Sequence, residues 1–556
     1  MKKVLSVLLA IMIFLSMPIL IFAETQTVEY EKNAILSALY ESDIQTIRKA
    51  IDQKVISCEE LTQYYLDRIE EYNEPYNCFI TLCDDAIEKA REKDALLEKG
   101  ENSGLLFGVP VVIKDNMNLS GYYTTNGRTL EGLSPATSNA QVVDYLLNQG
   151  AIIIGKTNMS TDAQDARASY SKIAGETKNA YNTGLASGGS SGGTAVAVSL
   201  NFSVAGLGTD TNSSLRIPAA LNGCVSLRPT LNLIPFDGCT HLNSSRDVIG
   251  SITRSVYDQA IMLDVLTEEK YSYTENLNSD ALTGKNIGIL TELSGPVNFS
   301  NISESDPEIR ANMLRDMGIN ERVEKNIDAE IMTAFNNAVE ELKDCGANVT
   351  EVSFPELFDL SYPTFTSHAP SYKTTFYNSL KAFMTENNLD ALIFPTYLST
   401  PLKSGKDENG KVWNVWQNQY FLNNCRVISP STGMPEFSLL IGYHSSGAGI
   451  GMEILADKNC EQMLLDMAYT YTEKYNHRIP PKDAPDLYAD FRQDDLETIV
   501  ESYTVTVDSQ NTETPEIAGN ATTSVSSIAS IVIIAVSIII AIIAIVIIVV
   551  VIIKTT

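Results

Sequence analysis

Small and hydroxyl-bearing residues crowd one stretch of the chain, Gly184 to Pro229, as nowhere else in it. Gly188, Gly189, Ser190, Ser191, Gly192 and Gly193 form a run in which four residues lack a Cβ, so the backbone can take tight or left-handed conformations. Such a loop suits close packing around a reacting group. Farther on, Thr209 to Ser214 offers consecutive backbone N–H groups and hydroxyls, the composition of an oxyanion hole with a nucleophile beside it. A serine nucleophile needs a base. The chain has four histidines, His241, His368, His444 and His477, and none stands in a triad context. The other base available is a lysine left neutral by burial, because desolvation disfavours the ammonium and lowers its pKa from about 10.4. Lys114 is the candidate: it ends the apolar run Phe107 to Ile113, which reads as a buried strand, and the turn residues Asp115 and Asn116 follow.

Three blander readings of these residues weigh less. A Ser/Gly linker would not be interleaved with apolar segments such as Ala195 to Leu200. Gly188-x-Ser190-x-Gly192 fits a nucleophile elbow, but that motif needs a strand before it, and Lys178 to Ser187 is turn-rich. Ser169-x-x-Lys172 matches a penicillin-binding pattern by spacing alone.

GVPVVIKDN, GGSSGG and GTDTNSSLRIPA follow one another in the order of three core motifs of the amidase signature family. The two serines, 190 and 214, stand 24 positions apart, and Lys114 lies 76 before the first. The chain resembles that family from about Ile35 to Leu487, most specifically between Gly104 and Pro229. The resemblance implies that Ser214 is the acyl-forming nucleophile. It also implies that Ser190, after a cis peptide following Gly189, relays the proton to Lys114 as base. The backbone N–H groups of Thr211, Asn212, Ser213 and Ser214 would form the oxyanion hole. The implied reaction is hydrolysis of a carbon–nitrogen bond in a small-molecule amide, with no cofactor and no metal. Family members usually carry two glycines where Asn212 and Ser213 stand; the amides are retained, while backbone freedom and room for substrate change. Asp210 and Arg216 flank the nucleophile with opposite charges and would fix its loop. Met159 and Asp162 lie in a segment that borders the substrate pocket in relatives and are candidates for specificity. Two other functions stand beside this one: a catalytically impaired amidase fold serving as a surface binding protein, and the A-type component of an amidotransferase.

Elements must position these groups. Helical spacing covers Asp43 to Lys54, Glu59 to Tyr72, Asp84 to Lys99 and Ala140 to Gln149, with apolar strands at Cys78 to Leu82, Gly104 to Lys114 and Ala151 to Gly155. Thr194 to Leu200 reads as a buried helix and Val204 to Leu207 as a short strand. This alternation predicts an α/β fold, a mixed, largely parallel sheet covered by helices on both faces. Later, Val256 to Leu266 and Ile327 to Cys345 read as helices, while Thr283 to Leu290, Asn348 to Phe354 and the GIGMEIL segment read as strands. Glu292 to Glu324 is polar and reads as an irregular surface excursion. Lys156, a second lysine at a strand end, reads as structural.

The chain has 556 residues and a formal net charge of −29, so nucleic acid is an unfavourable partner and the acidic exterior serves solubility. Its eight cysteines lack the spacing of a disulfide framework or a zinc site. Met1 to Ala23, with Lys2 and Lys3 ahead of an apolar run, reads as a secretory signal peptide, followed by an extension over 24–34 and an amidase domain over 35–488. Residues 489–527 read as a polar stalk, and 528–553 as an apolar run long enough to span a bilayer, with a tail over 554–556. A GPI-type signal is the alternative to that transmembrane helix. Together these ends imply a membrane-tethered enzyme at the cell surface or in the secretory pathway, with its catalytic domain outside the cytoplasm.

Overall fold

Uninterrupted apolar runs become the central strands. The computed structural model describes residues 32–367, 369–404 and 421–491. Eleven strands form one sheet: β1 (Phe79–Leu82), β2 (Pro110–Lys114), β3 (Ile152–Thr157), β4 (Ala205–Asp210), β5 (Val225–Arg228), β6 (Val248–Thr253), β7 (Asn286–Leu290), β8 (Asn348–Val352), β9 (Ala391–Pro395), β10 (Glu436–Tyr443) and β11 (Gly449–Leu455). Their spatial order is β1-β3-β2-β4-β6-β5-β10-β11-β9-β7-β8. The sheet is mixed. Parallel pairs join β2 to β3 and β4, and β7 to β8 and β9, while the remaining neighbours run antiparallel. Every residue of β2, β3, β4, β6, β9 and β11 is buried, which is why these strands read as continuous apolar runs rather than alternating ones.

Helix boundaries follow their caps. Asp43 accepts from the Thr46 amide ahead of Ile44–Asp52, and Ser57 and Glu60 form a capping box at the start of Cys58–Tyr72. Ser255 accepts from the Asp258 amide before Val256–Leu266, which spans the expected residues. The helix Gly192–Ser199 is buried all round and packs on β2, β4 and β6. One reading needs correction. The segment 292–324 is no loose excursion: it holds the helix Pro307–Asp316, capped by Asp306, and contributes Leu293, Val297, Ile302, Met313, Met317 and Ile319 to a hydrophobic core cluster. Those apolar residues are spaced too sparsely among polar ones to show a period.

A buried arginine ties the ends of the domain together. Arg68 donates to the carbonyls of Leu200, Asn201, Ala484 and Pro485 at 2.7–3.0 Å, and its guanidinium lies 4.9 Å from the Tyr40 ring. Nearby, the Ser37 hydroxyl donates to the Asp486 carboxylate and Tyr64 stacks on Tyr488. The described residues belong to one unit within 1–500. All eight cysteines are free thiols. The signal-peptide reading of 1–23, most of the 24–34 extension, the stalk beyond residue 491 and the 528–553 span lie outside the described residues. Among those described, no helix is long and apolar enough to cross a membrane.

Candidate active site

Strand β2 delivers Lys114. Its neighbour β4 runs parallel, with Ile113 opposite Leu207, so Lys114 and Thr209 emerge at the same end of the sheet. Lys114 is fully buried, and its Nζ lies 2.6 Å from Ser190 Oγ, 2.8 Å from Thr209 Oγ1 and 3.0 Å from Ser191 Oγ. Burial lowers its pKa to about 7, against the opposing pull of Asp210 and Asp247. A neutral amine offers two N–H donors and one lone pair, so one of these three hydroxyls donates to the nitrogen. Ser190, the closest, is placed to do so.

The peptide bond between Gly189 and Ser190 is cis. Of the four glycines in this run only Gly188 has a positive φ, +72°. The others serve close approach: a Cβ at Gly189 would lie 2.4 Å from the Asp165 carbonyl oxygen, and one at Gly193 2.3 Å from that of Asn158. The run therefore needs glycine more for room than for left-handed backbone.

Strand β4 ends at Asp210 and leads into the loop 211–214, after which the chain turns into the short helix Arg216–Leu221. The Ser191 amide donates to the Ser214 carbonyl (3.2 Å), joining the two serine loops. Ser214 is 5% exposed, and among the described residues its hydroxyl has no hydrogen-bond partner. The amides of Thr211, Asn212, Ser213 and Ser214 likewise find no acceptor among the described residues. Four unsatisfied N–H groups in succession inside a folded protein are rare, and they suit an oxygen that becomes charged.

Side chains anchor this loop. Asn212 Oδ1 accepts from Arg246 Nη1 (3.1 Å), Ser213 Oγ accepts from Asn423 Nδ2 (2.8 Å), and Thr211 Oγ1 donates to Asp247 Oδ1 (2.6 Å). Neither Asn212 nor Ser213 has a positive φ, so neither residue strains the backbone. Behind the loop, Asp210 pairs with Arg216 (3.1 Å) and Arg228 (3.0 Å), and Arg216 also bonds Glu436 and donates to the Asn212 carbonyl (3.0 Å). All four charged side chains are fully buried. Burial would raise the Asp210 carboxyl, but the two guanidiniums outweigh it and hold its pKa below the usual carboxylate range. Glu436 is pushed well up by burial and then by the neighbouring Glu453. Cys425, Glu436 and Glu453 bring three potential ligand atoms together, and Arg216 already stands among them as counter-cation.

Other candidates stand apart from this centre. Lys156 is buried against Asp115 (3.0 Å), and Met159 is fully buried. Asp162 pairs with Arg128 and bonds Asn126. Ser169 is buried, bonding the Gly192 amide and the Gly188 carbonyl, while Lys172 is exposed. His444 faces Asp328 and His477 faces Glu341; His241 stacks on Phe236 and bonds Asp247, and His368 lies outside the described residues. Asp247, Arg228, Arg246, Asn423 and Glu436 gave no signal in the sequence, because each reaches the loop from a distant segment.

A family model described as Amidase matches residues 60–376. The chain belongs to the amidase family. The A-type component of the glutamyl-tRNA(Gln) amidotransferase from Caldanaerobacter subterraneus subsp. tengcongensis is 32% identical over 330 residues, 57% of this chain and 61% of that protein. Its counterpart from Acaryochloris marina is 27% identical over 518 residues, 79% of this chain and 100% of the other. The chain thus spans about three fifths of the first of these relatives. Among solved structures, native peptide amidase from Stenotrophomonas maltophilia superimposes with a TM-score of 0.63 at 24% identity, covering 80% of this chain and 99% of that one. A 6-aminohexanoate cyclic dimer hydrolase complexed with substrate gives 0.64 at 22%, with the same coverage. At these identities the structures show a shared fold.

Proposed function

We propose that this protein hydrolyses carbon–nitrogen amide bonds through an acyl-enzyme. The observation that carries the reading is the row of four unbonded amides at 211–214, joined through Ser191 to the cis-peptide loop whose Ser190 meets a buried Lys114. Neutral Lys114 takes a proton from Ser190, which takes that of Ser214. Ser214 Oγ attacks the amide carbonyl, and the developing oxyanion rests on the four amides. The proton returns along the same path to the leaving nitrogen, the C–N bond breaks, and water, activated by the same relay, releases the acid. Asp210 and Arg216 keep the loop in register. The substrate is a small-molecule amide, and no step calls for a cofactor.

The similarity to amidotransferase components supports a second reading, in which ammonia released from an amide passes to a partner protein. The apolar runs at 4–22 and 528–553 support an exported, membrane-tethered enzyme instead. One experiment tests both. A fluorophosphonate probe applied to the full-length chain labels the wild type and leaves Ser214→Ala and Lys114→Ala unlabelled, and a membrane-impermeant form of the probe labels intact cells. Failure of the folded wild type to react would favour the binding-protein reading. Labelling only after lysis would remove the extracytoplasmic location.

A further inference from the structure

Three cations gather behind Asn212 of the oxyanion loop, and among the described residues no carboxylate forms an ion pair with any of them. Arg246 is 3% exposed: its Nη1 bonds Asn212 Oδ1, its Nη2 the Thr364 carbonyl, and its guanidinium lies 4.2 Å from the Phe365 ring centre. Its Nε is buried and has no partner among the described residues. Arg426 approaches the same ring at 5.4 Å and donates to the Asp316 carbonyl oxygen (2.7 Å). Lys373 donates to the carbonyl and hydroxyl of Ser245. All these bonded partners are neutral, and among the described residues none of the three cations forms an ion pair. That is unexpected in a chain with 69 acidic and 40 basic residues, since a buried or half-buried charge is costly unless matched.

The surroundings add to the positive field. Burial and then Arg228 and Arg426 lower the Arg246 pKa to about 10, while burial and then Arg246, Arg228 and Lys458 lower that of Lys373 to about 8. Lys373 sits in the first turn of the helix Pro370–Glu386, whose start carries no side-chain cap and no acidic residue. The nearby carboxylates are engaged elsewhere. Asp247 serves Thr211, His241 and the amides of Leu242 and Asn243, while Asp457 is tied to Lys381 and Tyr377. Asp316 bonds Arg426 through its backbone carbonyl and pairs its carboxylate with Arg315; that carboxylate also acts on Arg426 from a distance, which leaves Arg246 and Lys373 as the unmatched pair.

We infer that the amide substrate carries a carboxylate, held by Arg246 and Lys373. Arg246 touches the side chain of Asn212, two positions from Ser214, so the anion lies a few bonds from the reacting carbonyl. The substrate class is then a short acid with an amide at its other end. This deepens the amide-hydrolase reading and rests on it.

The test compares glutaramate with pentanamide, a neutral amide of equal length, by ammonia release from the full-length protein. Wild type favours glutaramate in kcat/KM by about tenfold or more, mainly through KM. Arg246→Gln and Lys373→Gln each remove about tenfold of that preference, and Arg246→Lys retains part of it. The ratio within one preparation is independent of how much of it is folded. A wild-type ratio at or below one, or a preference intact in both glutamine variants, overturns the inference. If neither amide is turned over, the hydrolase reading fails for this class, and calorimetry with glutarate decides the subsite alone. Binding by wild type that is lost in Arg246→Gln sustains it, and absence of binding overturns it.

Discussion

At the scale of single residues, the proposed role of Lys114 as base requires a neutral amine, and the depth of its burial fixes the pH at which one is present. With a pKa of about 7, it is protonated and idle in acid. We expect kcat/KM to rise through one ionisation near pH 7 and level off above it, measured on a neutral amide. Lys114→Arg, which cannot lose its charge, should lower kcat/KM by about 10³-fold at every pH. The same group acts on stability. Its folded pKa is depressed, so between about 7 and the unfolded value near 10.4 the folded state binds fewer protons, and this group's contribution to stability rises with pH across that window. The meeting of Lys114 with Ser190 and Ser191 was legible because a lysine ends an all-apolar strand in a chain that also carries serine-rich loops. Asn212 and Ser213 were legible as departures but not as anchors, since their partners Arg246 and Asn423 come from other parts of the chain.

At the scale of elements, the loop 211–214 is held from behind by the buried charges on β4, β5, β10 and the helix Arg216–Leu221. Arg216 matters most, because one guanidinium serves Asp210, Glu436 and the Asn212 carbonyl. Arg216→Ala leaves Glu436 without its counter-cation and Asp210 with Arg228 alone in a dry interior. We expect a loss of about 3–5 kcal/mol, seen as a lower urea midpoint, together with loss of probe labelling. An unchanged midpoint would mean that the network is not holding the loop. Elements filled with apolar residues were read closely, as with the capped helix Val256–Leu266 and the strand Gly449–Leu455. The segment 292–324 was not, because its buried side chains meet a core assembled from distant helices. Strand order was equally invisible, since no local pattern says that β10 lies between β5 and β11.

At the scale of the whole molecule, the sheet lays the first half of the chain along one side, from β1 to β5, and the second half along the other, from β10 to β8. The candidate centre draws on both halves, with Lys114, Ser190 and Ser214 from the first and Asn423 and Glu436 from the second. Arg68 and the Ser37–Asp486 bond then bring the start of the domain against its finish. Topologically the folded domain is a ring with one nick, and nothing in its packing requires the nick to be where it is. A linker of about six residues from 486 to 37 would close that ring. A new opening at exposed Gly132, where an added Cβ meets nothing within 4 Å, should yield a circular permutant that folds and still reacts with the fluorophosphonate probe. A permutant that fails to fold would show that the order of synthesis, and not only the contact at Arg68, is needed to close the domain.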